Sequence, residues 1–348
     1  MRIAQLERRH RDAWERLVAT HPASGFMQSW AWSGFKELEG YQVVRLGLFD
    51  GERLTGGAIG YAFPSPAEAG LVAVPDGPVL DWGAAGAGPT FAALVRALRR
   101  SRAGRRAVAV RVEPRLPLEG AEGGPAPLRG LARSPVDLVP VETLEVELGP
   151  EPSMLARMKP KGRYNARLAQ RRGVEVVTST DPADVHALHF VLEQTAGYQD
   201  FLLESKSFFI NLAQALVPGM ARFAFARYKG ITLAAALTVR HGATVTYLYG
   251  GHLPLFPEVM ASHALHWHIM REAAADGYRV YDFYGYAPPD RPRHPYAGFS
   301  RFKEKFGGRH VRRIGSHDVV FYDRLADAAL RAIRSASAAR KRSASEAR

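Results

Sequence analysis

Residues 221–249, ARFAFARYKGITLAAALTVRHGATVTYLY, decide the fold. Runs of β-branched, aromatic and small residues are cut by Lys229-Gly230 and His241-Gly242, pairs suited to tight hairpin turns. This predicts strands over Ala221–Tyr228, Ile231–Arg240 and Thr244–Tyr249. The apolar spacing that follows predicts a helix over 258–276 and a further strand over Arg279–Phe283.

The same order stands in the first half. After a helix near 8–20 come strands Tyr41–Phe49 and Leu54–Phe63 about an Asp50-Gly51 turn. A third strand near Leu71–Val74, a helix over Pro89–Ala103 and a strand over Ala107–Val112 complete it. RLGLFDGERLTGGAIGYAF (45–63) and RFAFARYKGITLAAALTVRHG (222–242) share a strand, a Gly turn and a small-residue strand, as an internal duplication would. The class is α/β (α+β). A chain of 348 residues exceeds what one core usually supports, so two domains are expected. The Gly- and Pro-rich stretch 116–135 reads as a surface excursion, with the second domain starting near residue 147. Arg324 to Arg348 reads as a helix to about Ile333 and then a disordered basic tail.

Hydrophobic content of 47% supports a sizeable core. No stretch of about 18 uncharged apolar residues occurs, so no membrane-spanning helix is expected and any membrane contact is peripheral. The opening MRIAQLERRH lacks the apolar run of a secretory signal, which leads to a cytoplasmic expectation. The absence of cysteine excludes disulfides, thiolate metal sites and a cysteine nucleophile. A formal charge of +13 points to a polyanionic partner, or simply to solubility.

The charge is concentrated. Met154 to Gly173, MLARMKPKGRYNARLAQRRG, holds seven cations and no acid. A helix restarting at Pro160 places Arg163, Arg167 and Arg171 on one face, where stacked like charges call for an anion such as an RNA backbone. A second basic cluster, Arg293 to Arg313, has Glu304 as its only acid. There Tyr296, Phe299, Phe302 and Phe306 read as the core face of a helix from which Lys303 and Lys305 project, able to hold a phosphate or stabilise an oxyanion. His263, His266 and His268 share one helix but lack the spacing of a metal site, and aromatic packing with Trp267 accounts for them better. No Walker loop, GxGxxG or GxSxG is present, so no nucleotide cofactor is expected.

Six segments together resemble the FemABX family, whose FemX-type members build peptidoglycan interpeptide bridges from aminoacyl-tRNA. They are FMQSWAWSGFKE (26–37), VPDGPVLDW (74–82), KPKGRYNARLAQRRGVEV (159–176), TYLYGGH (246–252), ASHALHWHIMREAAADGYRVYDFYG (261–285) and YAGFSRFKEKFGG (296–308). The resemblance implies two domains of the Gcn5-related N-acetyltransferase (GNAT) type, without a long helical arm. Domain one would comprise 1–146 plus 317–348 and bind the precursor. Domain two, 147–316, would face the aminoacyl-tRNA and carry catalysis.

It also implies roles for particular residues. Lys36 would hold phosphate of the precursor, UDP-MurNAc-pentapeptide or lipid II. Lys303, in the match to the family's Phe-Lys motif, would stabilise charge as the amine attacks the ester, with Lys305 as its alternate. Glu113 stands where many relatives carry Asp, which puts its role as a base in question. Lys206, Phe209 and Tyr249 match positions near the precursor, and Arg163, Arg167 and Arg171 would meet tRNA. A monomer is expected. Two rivals remain open at this point: an acyl-CoA-dependent N-acyltransferase, although no Q/R-x-x-G-x-G/A loop is found, and a non-catalytic RNA-binding protein.

Overall fold

The computed structural model describes residues 1–62, 70–118, 124–199, 202–287, 290–291, 294 and 296–321. Phe63, expected to end the second strand, and the helix and basic tail expected over 324–348 lie outside the described residues. The chain divides into two compact units, one of residues 1–141 and 313–348 and the other of residues 142–312. Each holds a seven-stranded mixed sheet among the described residues.

In the first unit β1 (Arg2–Gln5) is followed by helices α1 (Arg11–Thr20) and α2 (Trp30–Leu38). Strands β2 (Gln42–Asp50), β3 (Arg53–Ala62) and β4 (Leu71–Pro75), helix α3 (Ala87–Arg100), and strands β5 (Ala109–Glu113) and β6 (Ala132–Arg133) come next. The Asp50-Gly51 turn forms as expected, with Asp50 opposite Arg53. Ser29 caps α2 by accepting from the Trp32 amide at 3.1 Å, satisfying a donor the helix cannot. Buried Gln28 anchors that corner: its amide donates to Ile59 O (3.0 Å) and Pro75 O (2.7 Å) and accepts from Ile59 N (2.8 Å). Helix α3 buries Phe91, Leu94, Val95 and Leu98 against the sheet, the helical spacing that predicted it.

In the second unit β7 (Glu142–Glu147) leads to α4 (Glu151–Arg157), α5 (Pro160–Arg171), β8 (Glu175–Ser179), α6 (Val185–Gln199) and α7 (Lys206–Leu216). The hairpin strands β9 (Ala221–Tyr228), β10 (Ile231–His241) and β11 (Thr244–His252) follow, then α8 (Ala261–Ala275), β12 (Val280–Asp282), α9 (Ala297–Lys303) and β13 (Arg309–Arg312). The last strand, β14 (His317–Val320), belongs to the first sheet, between β5 and β6. Because β7 pairs with β12 and β13, the second unit starts at residue 142, a strand earlier than the expected start near residue 147. Its order is β13-β7-β12-β11-β10-β9-β8. Pro160 sits in the first turn of α5, where its missing N–H costs nothing.

Candidate functional site

The parallel pair at the centre of the second sheet separates early. Strands β11 and β12 are in register only over Thr244–Val280, Val245–Tyr281 and Thr246–Asp282, while β11 runs on to His252. A notch therefore opens beside Tyr247, and the chain after Asp282 turns away through Tyr284 and Gly285, both with positive φ (49° and 65°). Buried Asp282 fixes the start of the turn by accepting from the Tyr284 amide at 2.8 Å and from the Thr143 hydroxyl.

Lys303, expected to project from α9, instead points inward and is 8% exposed. Its ammonium donates to Phe283 O (2.9 Å), Tyr284 O (2.7 Å) and Gly285 O (2.6 Å). An ammonium has three protons, and three carbonyls receive them. Burial pushes its pKa down to about 8, opposed by the charge of Asp282. The aromatic face is corrected in the same way: Phe302 and Phe306 pack inward, whereas Tyr296 and Phe299 are exposed. A helix of seven residues cannot turn four aromatics and a lysine to one side.

His263 and His266 are packed among these rings. His266 lies within 4.7–5.5 Å of Tyr247, Phe283, Phe302 and Phe306, its Nδ1 2.9 Å from the Tyr281 hydroxyl. His263 stacks on Phe306, and its Nε2 is 3.1 Å from Asn165 Nδ2. Burial pushes their pKa values down to about 3 and about 4, so both are neutral imidazoles at pH 7.

On β11 a bulge opposite Leu237 and Thr238 interrupts the alternation between Tyr247 and Tyr249. Tyr247 packs against α8 and its core, while Tyr249 meets Phe208 and Phe209 of α7 at 6.1 and 5.0 Å. Of the matched positions, Tyr249 is half-buried and Lys206 exposed at the start of α7. Phe209 is fully buried, so it offers no surface to a ligand and acts through the Tyr249 ring that it supports.

Helix α5 separates its three arginines. Arg163 is half-buried and its guanidinium donates to Leu155 O, Ala156 O and Met158 O, closing the end of α4. It caps a neighbouring helix, a use that spacing along α5 could not disclose. Arg167 is exposed, and Arg171, also exposed, lies 5.9 Å over the ring of Tyr164. Lys305 rests over Phe302 at 5.9 Å, and its pKa is lowered by burial and by Lys161. Close packing of α5 holds it there: a Cβ on Gly162 would lie 2.0 Å from Lys305 O. Glu304, the one acid of the cluster, pairs with Lys159 at 2.7 Å.

In the first unit the half-buried Lys36 has its ammonium over the rings of Tyr41, Phe35 and Trp32, at 4.6, 5.0 and 5.7 Å. Such a cation–π bed orients the charge while leaving it cationic. Glu113, at the end of β5, accepts from Leu138 N (2.8 Å), Val139 N (3.2 Å) and the Ser316 hydroxyl. Burial raises its pKa to about 7 despite these donors. Its two oxygens tie the 138–139 segment and the returning chain to the sheet.

Two such α/β units, the second with its early-parting parallel strands and helix α8 between them, make a tandem protein of GNAT-like fold. Residues 157–304 match the acetyltransferase (GNAT) domain family, and residues 10–127 match the FemAB family. The fold is that of the crystal structure of FemX, at a TM-score of 0.81 and 19% identity over 93% of this chain and 98% of that one. The likeness to the FemABX family drawn from the six segments is thus borne out. L-PGS from Bacillus licheniformis is similar at a TM-score of 0.54 (12% identity, 90% of this chain, 92% of that one). A tandem GNAT protein from the clavulanic acid biosynthesis pathway is similar at 0.55 (15% identity, 92% and 98%). A comparison with curated proteins found no match. Among the described residues no helix is long and apolar enough to cross a membrane.

Proposed function

We propose that this chain is a cytoplasmic, monomeric aminoacyltransferase of peptidoglycan synthesis. It moves glycine, alanine or serine from aminoacyl-tRNA to the amine of the third stem-peptide residue of UDP-MurNAc-pentapeptide or lipid II. The observation that carries this reading is the agreement with FemX over 98% of that protein, alongside the FemAB match in the first domain. Aminoacyl-tRNA is an activated ester, so transfer needs positioning and charge stabilisation but no nucleotide cofactor. Domain one would hold the precursor, with Lys36 on its phosphate. Domain two would hold the aminoacyl-tRNA, with the exposed Arg167 and Arg171 against its backbone.

Lys303 contributes positive charge beneath the turn 283–285. With its protons already placed, it acts on the developing negative charge through its field and through the peptide dipoles it orients. The test is transfer of radiolabelled glycine, alanine or serine from charged tRNA to each precursor, with uncharged tRNA and acetyl-CoA as controls. Transfer from one charged tRNA is expected. Activity from acetyl-CoA alone would favour the acyl-CoA-dependent reading, which the acetyltransferase match over residues 157–304 supports. Tight, selective tRNA binding without any transfer would favour a non-catalytic RNA-binding protein.

A further inference from the structure

We infer that the hydroxyl of Tyr247 donates the hydrogen bond that stabilises the oxyanion of the acyl group undergoing transfer in the notch between β11 and β12. Tyr247 is the first residue of β11 beyond the last pairing with β12, so it stands where the sheet opens. Its ring is fixed edge-on to His266, 4.7 Å between centroids, and faces Phe283, 6.5 Å away, at the head of the Lys303-held turn. That orientation leaves the hydroxyl against Gly250, where a Cβ would come within 2.3 Å of the phenolic oxygen. Glycine at 250 keeps that space open.

The hydroxyl makes no hydrogen bond with any described residue, although its ring packs on the core of the second unit. Tyr247 is half-buried, so its hydroxyl is open to a partner from outside the chain. The contrast with Tyr281 is instructive, since that phenol, fully buried, is matched with His266 at 2.9 Å. Lys303 has no proton left to donate, and the two core histidines are engaged with Tyr281 and Asn165. Tyr247 is the side chain of this cluster with a donor to spare. Burial also keeps its phenol protonated well above neutral pH.

The step balances without a proton from the tyrosine. The attacking amine forms the C–N bond while the carbonyl π pair moves to oxygen, which accepts the hydrogen bond. Collapse then breaks the acyl C–O bond, and the ribose oxygen leaves with the proton lost by the amine. The inference rests on the acyl-transfer reading above. It applies equally to an aminoacyl ester and an acyl thioester.

Tyr247→Phe tests it. With the donor that supports wild-type turnover, charged tRNA or acetyl-CoA, kcat should fall about 100-fold, the usual effect of losing one oxyanion donor. KM should change less than about twofold, and the thermal midpoint should not drop, because no hydrogen bond within the protein is lost. Gly250→Ala, which puts a methyl against the hydroxyl, should lower kcat in the same direction. Wild-type turnover in Tyr247→Phe overturns the assignment, whereas a wild type active only with acetyl-CoA overturns the tRNA reading and leaves this comparison intact. Binding supplies a readout independent of turnover, using a 3′-linked aminophosphonate ester of adenosine, whose tetrahedral P–O⁻ stands in for the oxyanion. Tyr247→Phe should weaken it about 100-fold, and equal affinity of the two proteins, or none in the wild type, counts against the proposal.

Discussion

Lys303 is a charged residue drawn inside by backbone geometry: three carbonyls converge on it because the turn they belong to has two successive residues with positive φ. Lys303→Met should leave those carbonyls buried and unmatched, at a cost on the order of 3 kcal/mol. Denaturant unfolding of the second unit should show this, together with a loss of kcat larger than any change in KM. Because burial lowers the ammonium's pKa to about 8, wild-type kcat should decline as pH rises through that value. An activity plateau to pH 10 would remove the charged clamp from the mechanism. Glu113 is shifted the other way, upward, and is a neutral acid at low pH. Burial raises its folded pKa to about 7, above the ordinary carboxyl value of about 4.5, so the folded state binds the proton more tightly. Stability should therefore fall as pH rises from about 4.5 to 7 and level off above, by about 3 kcal/mol at most. Glu113→Gln should abolish that slope, measured by urea unfolding across the window.

At the scale of elements, what sequence made legible was local chemistry. Asp50-Gly51, Lys229-Gly230 and His241-Gly242 announce their hairpins through backbone conformation, and Pro160 marks the first turn of α5. What it hid depends on contacts between elements: that Arg163 would cap α4, that Phe209 would vanish under Tyr249, and that β11 would part from β12 after three residues. Tyr247 lay within the TYLYGGH segment, yet its period along the strand is that of any core residue, and only the bulge distinguishes it from Tyr249. The strand β12, expected over Arg279–Phe283, forms over Val280–Asp282, whereas β7 escapes pattern reading because its partners β12 and β13 are remote in sequence. Helix α5 turns this division into a prediction. Arg167→Ala with Arg171→Ala should lower tRNA affinity and reduce the slope of log K against log salt by about 1 to 2, with stability unchanged. Arg163→Ala should lower the thermal midpoint and leave the salt slope nearly as it was. A filter-binding series over salt concentration, run beside thermal melts, separates the two; equal salt slopes in all three proteins would remove α5 from the RNA interface.

For the whole molecule, the decisive feature is that the first unit is discontinuous. Strand β14 enters its sheet between β5 and β6, and Asp318 on it meets Arg111 on β5 through two hydrogen bonds, 2.7 and 3.0 Å, with both side chains 2% exposed. Neither partner is tolerable alone there, because a buried charge without its counter-charge costs about 3–5 kcal/mol. Residues 1–141 therefore end with the sheet incomplete and Arg111 uncompensated, whereas residues 142–312 contain every strand of their own sheet. A fragment of 142–312 should unfold cooperatively by itself. A fragment of 1–141 should not, until a peptide of residues 313–348 is added, and Asp318→Ala in that peptide should prevent the rescue. Circular dichroism melts of the two fragments decide the matter. Full cooperative stability of 1–141 alone would mean that β14 is an accessory to the first sheet, while rescue by the peptide would mean that the chain's end must arrive before its first domain can close.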